Sequence, residues 1–325
     1  MASPSLRLPD NVPGQFYVDS TCIDCDTCRR VAPSAFAQGD GHSFVAAQPA
    51  DAETRRRALM ALVACPTASI GMIAAPSGID PLAGAEGDAG LAAAESDARL
   101  AAATPSAEVR RAAAPFPERV DENVSFCGYT AESSFGAWSY FVERPQGGNV
   151  LVDSPRAAGP LLEELERRGG VATMFLTHRD DVADHEAFRK RFACERVLHA
   201  ADVTSGTRGV ERRLEGEDPV ALAPDLLAIP TPGHTRGHAV LLYSERYLFT
   251  GDHLAWSARR GHLVAFRDAN WYSWPETIRS MERLLDSRIR FEWVLPGHGA
   301  WHRTGSADEM RRELEKCVAW MRRVA

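Results

Sequence analysis

Cys22, Cys25, Cys28 and, further on, Cys65 followed directly by Pro66 spell C-x-x-C-x-x-C…C-P. Thiols spaced by two residues can be presented by one tight loop, and a fourth thiol from elsewhere in the fold completes the sulfur cage of an iron–sulfur cubane. A zinc site of four cysteines usually shows two C-x-x-C pairs, which a triplet plus a lone C-P does not match. With all four thiolates present, the expected cofactor is a [4Fe-4S] cluster on Cys22, Cys25, Cys28 and Cys65. The isolated Cys127, Cys194 and Cys317 are expected to be packing residues.

A second group of chemistry-bearing residues lies downstream. Thr177–His185 reads T-H-R-D-D-V-A-D-H, Thr231–His238 reads T-P-G-H-T-R-G-H, Phe249–His253 reads F-T-G-D-H and Leu295–Gly299 reads L-P-G-H-G. Imidazole and carboxylate hold divalent cations, and two such ions about 3.5–4 Å apart clamp the attacking and leaving oxygens of a hydrolysis. His42, His199, His262 and His302 stand outside these blocks and are expected to be ordinary solvated side chains.

The elements that must position these groups follow from periodicity. In the first part, Gln15–Asp19 and Ser43–Ala46 read as strands and Ala52–Val63 as a helix that Cys65-Pro66 ends, because proline cannot continue it. Residues 74–118 are rich in Ala and Gly and nearly free of large apolar side chains, so they read as a linker, with Leu91–Ala103 as an alternative weakly helical spacer. Beyond it, strands are expected at Asn149–Asp153, Val171–Leu176, Arg196–His199, Leu226–Ile229, Ala239–Tyr243, Tyr247–Thr250 and Trp293–Leu295, and helices at Gly159–Arg168, Pro275–Asp286 and Ala307–Arg323. Phe126–Phe141 reads as the first hairpin. After several strands a His or Asp follows at the carboxyl end, where active sites of layered α/β architectures collect.

The 325 residues, 45% hydrophobic and 25% charged, have a soluble globular composition of two-domain length. A net charge of −7 gives no footprint for nucleic acid. No apolar run reaches membrane-spanning length, and Met1 to Gly14 lacks a signal-peptide core. Seven cysteines, four of them at cluster spacing, fit a reducing cytoplasm.

The segment from Leu6 to about Met72 resembles the single-cluster bacterial ferredoxins, on Cys22, Cys25, Cys28 and Cys65-Pro66, with Asp19 three residues before the first cysteine. From Phe126 onward the chain resembles the metallo-β-lactamase fold superfamily, and its glyoxalase-II-like branch most of all, on T-P-G-H-T-x-G-H, then G-D, then G-H-G. These resemblances imply a small α+β ferredoxin-like domain over residues 6–73 and a four-layer αββα sandwich, of α/β class, over 119–325. They also imply two divalent metal ions (Zn, or Fe/Mn). By motif position His178, Asp180 and His234 would hold the first, Asp184, His185 and His298 the second, and Asp252 would bridge them. Asp184 and Asp252 would then frame the catalytic hydroxide. His238 would support the site by hydrogen bonds, and His253 beside Asp252 is left open.

One departure stands out. The family's first block is H-x-H-x-D-H, whereas this chain has H-x-D-D-x-x-D-H, so spacing leaves both Asp180 and Asp181 as candidates. If the loop is helical, Asp181 and His185 are i, i+4 neighbours and could face one ion. Exchanging imidazole for carboxylate hardens the donor set, from zinc toward iron or manganese.

The expected activity is hydrolysis of an ester or thioester small-molecule substrate. The alternative is a ferredoxin-fed oxidoreductase acting at a dimetal iron site, as the flavodiiron proteins resemble this fold, with a redox partner protein. A non-enzymatic electron carrier explains the ligand set least well. Trp256, Phe266, Trp271, Tyr272 and Trp274, with Arg259, Arg260 and Arg267, read either as a substrate wall or as packing.

Overall fold

The computed structural model describes residues 2–73 and 116–324. The chain divides into two compact units, Met1–Pro115 and Phe116–Ala325. The expected linker, with the spacer at Leu91–Ala103, lies outside the described residues up to position 115. Its last expected positions are packed into the second unit: the buried Phe116 ring meets Phe126 edge-on at 5.8 Å. No described helix is long and apolar enough to cross a membrane.

The first unit is built on two short antiparallel pairs, β1 (Phe16–Val18) with β4 (Ile70–Met72) and β2 (Phe36–Gln38) with β3 (Ser43–Val45). Between them run α1 (Thr27–Val31) and α2 (Ala52–Ala64). Asp51 starts α2 by taking the Thr54 N–H on Oδ1 at 2.8 Å, while Thr54 Oγ1 takes the Asp51 N–H at 3.2 Å. This capping box satisfies donors that the first turn leaves free. The helix buries Ala58, Leu59, Met60, Ala61 and Ala64 and ends at Cys65. The chain then returns beside β1, with Asp19 N bonded to Ser69 O at 2.9 Å, which places Cys65 against the cysteine loop. Strands β2 and β4 are additional to those expected, three residues each and too short for a periodicity to show.

The second unit contains a seven-stranded and a six-stranded sheet. The first runs in the order β11 (Arg212–Leu214), β10 (Glu195–His199), β9 (Thr173–Phe175), β8 (Val150–Val152), β7 (Tyr140–Val142), β6 (Val124–Phe126), β5 (Glu118–Asp121). Strands β8 to β11 are parallel, with α3 (Gly159–Arg167) and α4 (His185–Phe192) on the connections. The second sheet runs β12 (Val220–Ala223), β13 (Leu226–Pro230), β14 (Ala239–Tyr243), β15 (Tyr247–Gly251), β18 (Trp293–Pro296), β19 (His302–Arg303), and a hairpin, β16 (Ala255–Ser257) with β17 (His262–Val264), follows β15. Against it pack α5 (Trp274–Arg283) and α6 (Ala307–Arg323), whose Met281, Met310, Leu314 and Val318 share one buried cluster with Val240, Leu242, Leu248 and Val294. Tyr140 of the first sheet meets Phe249 of the second at 5.4 Å between ring centroids. This is the expected four-layer αββα sandwich. The first hairpin is displaced from expectation: only the ends of Phe126–Phe141 pair, Phe126 opposite Tyr140, and the tight turn lies earlier, between β5 and β6.

Sheet direction explains where chemistry gathers. Strand β14 is antiparallel to β13 and to β15, and β15 is parallel to β18, so β13, β15 and β18 share one direction. His234, Asp252 and His298 follow their carboxyl ends, as His178 follows that of β9.

Candidate metal centres

In the first unit, Cys22, Cys25, Cys28 and Cys65 line one pocket, together with Ile23, Pro66 and Ile70. None of the four is in a disulfide. Asp24 and Asp26, which separate the loop cysteines, take left-handed backbone angles (φ 57° and 72°) that curl the loop around the pocket. Backbone N–H groups point at sulfur, from Ser43 to Cys22 Sγ at 3.4 Å and from Ser69 to Cys65 Sγ at 3.3 Å. Burial pushes the Cys25 thiol up to about 11 and Cys28 higher still. Buried thiolates therefore need a cation, and such a cage with amide donors suits an iron–sulfur cluster. Asp19 is buried and structural: its carboxylate accepts from Ser3 N and Thr21 N.

In the second unit, one nitrogen each from His178 and His234 and one Asp252 oxygen lie within 4.8 Å of one another. The hub is Asp252 Oδ2, 3.9 Å from His178 Nε2, 3.7 Å from His234 Nε2 and 3.7 Å from His298 Nε2. Asp180 Oδ2 lies 3.9 Å from both His178 Nε2 and His234 Nε2. The rings are held from behind. His234 Nδ1–H donates to Ala269 O at 2.6 Å, and His178 Nδ1 lies 3.0 Å from Thr177 Oγ1, which is bonded to the buried Asp153. Each Nε2 is thus turned inward, buried and without a hydrogen-bond partner, as are Asp181 Oδ2 and Asp252 Oδ1. Burial lowers His178 to about 4, so its imidazole is neutral at pH 7. Burial and the Asp252 charge raise Asp181 well above the carboxylate range and Asp153 to about 8. Buried lone pairs and crowded carboxylates with no proton donor among them fit divalent cations.

Two glycines allow this approach. At Gly251, φ is +46° and a Cβ would stand 2.5 Å from Thr177 Oγ1. At Gly297 a Cβ would meet Asp252 Oδ1 at 2.9 Å and Asp181 Oδ2 at 3.0 Å.

Asp184 and His185 do not join this cluster. Asp184 is exposed, and its Oδ2 accepts the Ala157 N–H at 2.8 Å. The buried His185 has Nδ1 2.8 Å from Arg196 Nη1, which ties its ring to the neighbouring strand. The physical reason is spacing: the lengthened block moves Asp-His onto the first turn of α4, facing the Arg196–Glu211 ion pair instead of Asp252. Asp184, to which the resemblance gives a catalytic part, thus lies outside the cluster around Asp252. Asp181, left open by spacing, points into the site.

Beside the expected support from His238, the structure adds one the sequence does not reveal. Asp202, 1% exposed, accepts from Arg179 N at 3.1 Å, Thr235 Oγ1 at 2.5 Å and Gly237 N at 2.7 Å, stitching the His178 loop to the His234 loop. His238 Nδ1 lies 2.8 Å from Thr231 Oγ1, and His253 is fully buried and stacks on His238 at 5.3 Å. His199 is buried rather than solvated, with Nε2 donating to Gly216 O at 2.9 Å. His302 stacks on Trp256 at 3.9 Å, His262 lies against Trp320, and His42 pairs with Asp10.

The aromatic stretch divides in two. Trp256 and Trp274 pack inward on His302 and Trp320, Arg260 lies over Trp320, and Arg267 bonds Val324 O. Trp271 stays exposed, its ring 6.2 Å from His234, with Tyr272 exposed beside it. On the opposite flank the exposed Phe135 lies 6.1 Å from His298.

Comparison with known proteins bears on both units. Residues 18–72 match the family described as the 4Fe-4S single cluster domain of Ferredoxin I. The hydroxyacylglutathione hydrolase of Fuscovulum blasticum is 37% identical over 191 residues, 54% of this chain and 73% of that protein. The hydroxyacylglutathione hydrolase of Rhizobium meliloti is 32% identical over 117 residues, and the match spans 34% of this chain and 45% of the relative, less than half its length. Among solved structures, a metallo-β-lactamase from Pontibacter korlensis aligns at 17% identity and a TM-score of 0.44, covering 61% of this chain and 97% of its own.

Proposed function

The chain belongs to the hydroxyacylglutathione hydrolase family of metal-dependent hydrolases, and on that premise we propose that it cleaves an ester or thioester at the centre around Asp252. The observation that carries the reading is the convergence of His178 Nε2, His234 Nε2 and an Asp252 oxygen within 4.8 Å, the two nitrogens buried and unbonded. Divalent cations held there would supply Lewis acidity and a water acidic enough to attack a carbonyl near neutral pH. The protein's own part is orientation and exclusion. Ala269 O and Thr177 Oγ1 fix the two imidazoles, and the half-exposed Asp180 marks the open side. Trp271 beside His234 and Phe135 beside His298 offer apolar walls to the part of a substrate that flanks its carbonyl.

The test is turnover of S-lactoylglutathione and a panel of acyl thioesters and aryl esters by metal-loaded full chain. Cleavage of at least one class, abolished in His178→Ala, is expected; no turnover across the panel with both metals bound contradicts it.

A second reading has its own support. The 4Fe-4S match over residues 18–72 and the carboxylate of Asp180 beside the two imidazoles suit electron delivery to an iron-loaded centre. Zinc in the second unit of natively purified protein would rule that reading out.

A further inference from the structure

Neighbours in sequence, Asp180 and Asp181 part company around Asp252. Asp180 is half exposed and sends Oδ2 toward His178 Nε2 and His234 Nε2, 3.9 Å from each. Asp181 is 2% exposed, and its Oδ2 is buried with no hydrogen-bond partner. That oxygen and Asp252 Oδ1 both lie within 3.0 Å of the point a Gly297 Cβ would occupy. Asp252 therefore presents Oδ2 to the histidines and Oδ1 to Asp181. Gly297 is followed by His298, whose Nε2 is 3.7 Å from Asp252 Oδ2. The backbone fixes Asp181 there: its carbonyl accepts from Ser154 N at 3.1 Å.

We propose that Asp181 is the carboxylate of the second cation in place of Asp184 and His185, so that the two positions have different donor sets. His178, His234, Asp180 and Asp252 make the first, balanced between nitrogen and oxygen; Asp181, Asp252 and His298 make the second, with one imidazole. This rests on the dimetal reading above and departs from the H-x-H-x-D-H pattern, in which the second ion takes an Asp-His pair. Fewer protein donors make the second ion the weaker and more exchangeable of the two. Carboxylate dominance tilts it toward manganese or ferrous iron relative to its neighbour.

Full-length protein, purified anaerobically with its cluster intact and depleted of other divalent metal, is titrated with Mn²⁺ and followed by calorimetry and electron paramagnetic resonance. The wild type is expected to bind two Mn²⁺ in unequal steps and to show a spin-coupled pair. Asp181→Asn keeps the side chain's shape and polarity, so it folds; it is expected to bind one Mn²⁺ with an isolated-ion signal. Asp184→Asn is expected to bind two, coupled, like the wild type. A coupled pair persisting in Asp181→Asn, or one lost in Asp184→Asn, overturns the assignment while leaving the dimetal reading intact. A wild type that binds fewer than two Mn²⁺ overturns that reading, and the assignment with it.

Discussion

Asp202 touches none of the inward-facing donors, yet the two loops that carry most of them meet on its carboxylate. It accepts the Arg179 N–H between His178 and Asp180, and the Thr235 hydroxyl and Gly237 N–H on either side of Arg236. Gly237 leaves no room to spare, since a Cβ there would stand 2.6 Å from Asp202 N. Asp202→Ala strands three donors in a pocket that is 1% exposed in the wild type. Hydrogen bonds to a buried charge are worth about 1.5–3 kcal/mol each and do not add fully, so a loss of about 3–5 kcal/mol in unfolding free energy is expected. Asp202→Asn keeps the shape but turns an amide toward donors, and about 2 kcal/mol is expected. Metal binding separates a stitch from mere filling. Groups that orient ligands from behind typically change affinity about 10- to 100-fold, and Asp202→Asn should weaken cation binding by that range in a metal-buffered titration. Denaturant melts of the metal-free protein give the stability term independently. Reduced stability with unchanged metal affinity would refute the positioning argument, and unchanged values of both would refute the hydrogen-bond accounting.

Other outcomes follow from the same geometry. Cys65→Ser should lose the full cluster, read as lower iron content and visible absorbance of anaerobic protein; unchanged iron would exclude Cys65 as a ligand. Trp271→Ala, removing an exposed ring 6.2 Å from His234, should raise KM for an apolar thioester roughly fivefold, about 1 kcal/mol, with kcat and metal content little changed. An unmoved KM would leave Trp271 outside the substrate path. Partial burial works to raise Glu211, but hydrogen bonds from Arg196 and Arg189 outweigh it and hold the carboxyl at about 2. A depressed carboxylate stabilises the fold above its unfolded pKa, and that stability fades as pH falls from about 4.5 toward 2. The contribution, discounted for solvent screening, is about 2 kcal/mol. Glu211→Gln should flatten this part of the stability–pH curve, and an identical acid limb would contradict the pairing.

Legibility in the sequence tracked how local each determinant is. The cysteine loop and its C-P partner could be read because cluster spacing is a local property, and helix Ala307–Arg323 appears at the expected bounds because a long amphipathic period is unambiguous. His178, His234, Asp252 and His298 were legible because each sits in a short loop just after an apolar strand. The Asp-His pair at 184–185 misled for the same reason: its types were right, but two added residues turned it onto α4, a displacement decided by helix phase and by Arg196 from the next strand. Asp202 could not be found from its surroundings, since its hydroxyl and amide partners lie 33 and 35 residues away. The short strands Arg212–Leu214 and Val220–Ala223 are partly exposed edge segments whose pattern carries little apolar signal.

Anomalous diffraction from anaerobically grown crystals of the intact, metal-loaded chain tests the central claim most directly. The account predicts iron density enclosed by Cys22, Cys25, Cys28 and Cys65. It also predicts a separate peak bound by His178 Nε2, His234 Nε2 and Asp252 Oδ2, with a neighbour toward Asp181 and His298. Density at Asp184 and His185, or none around Asp252, would contradict it.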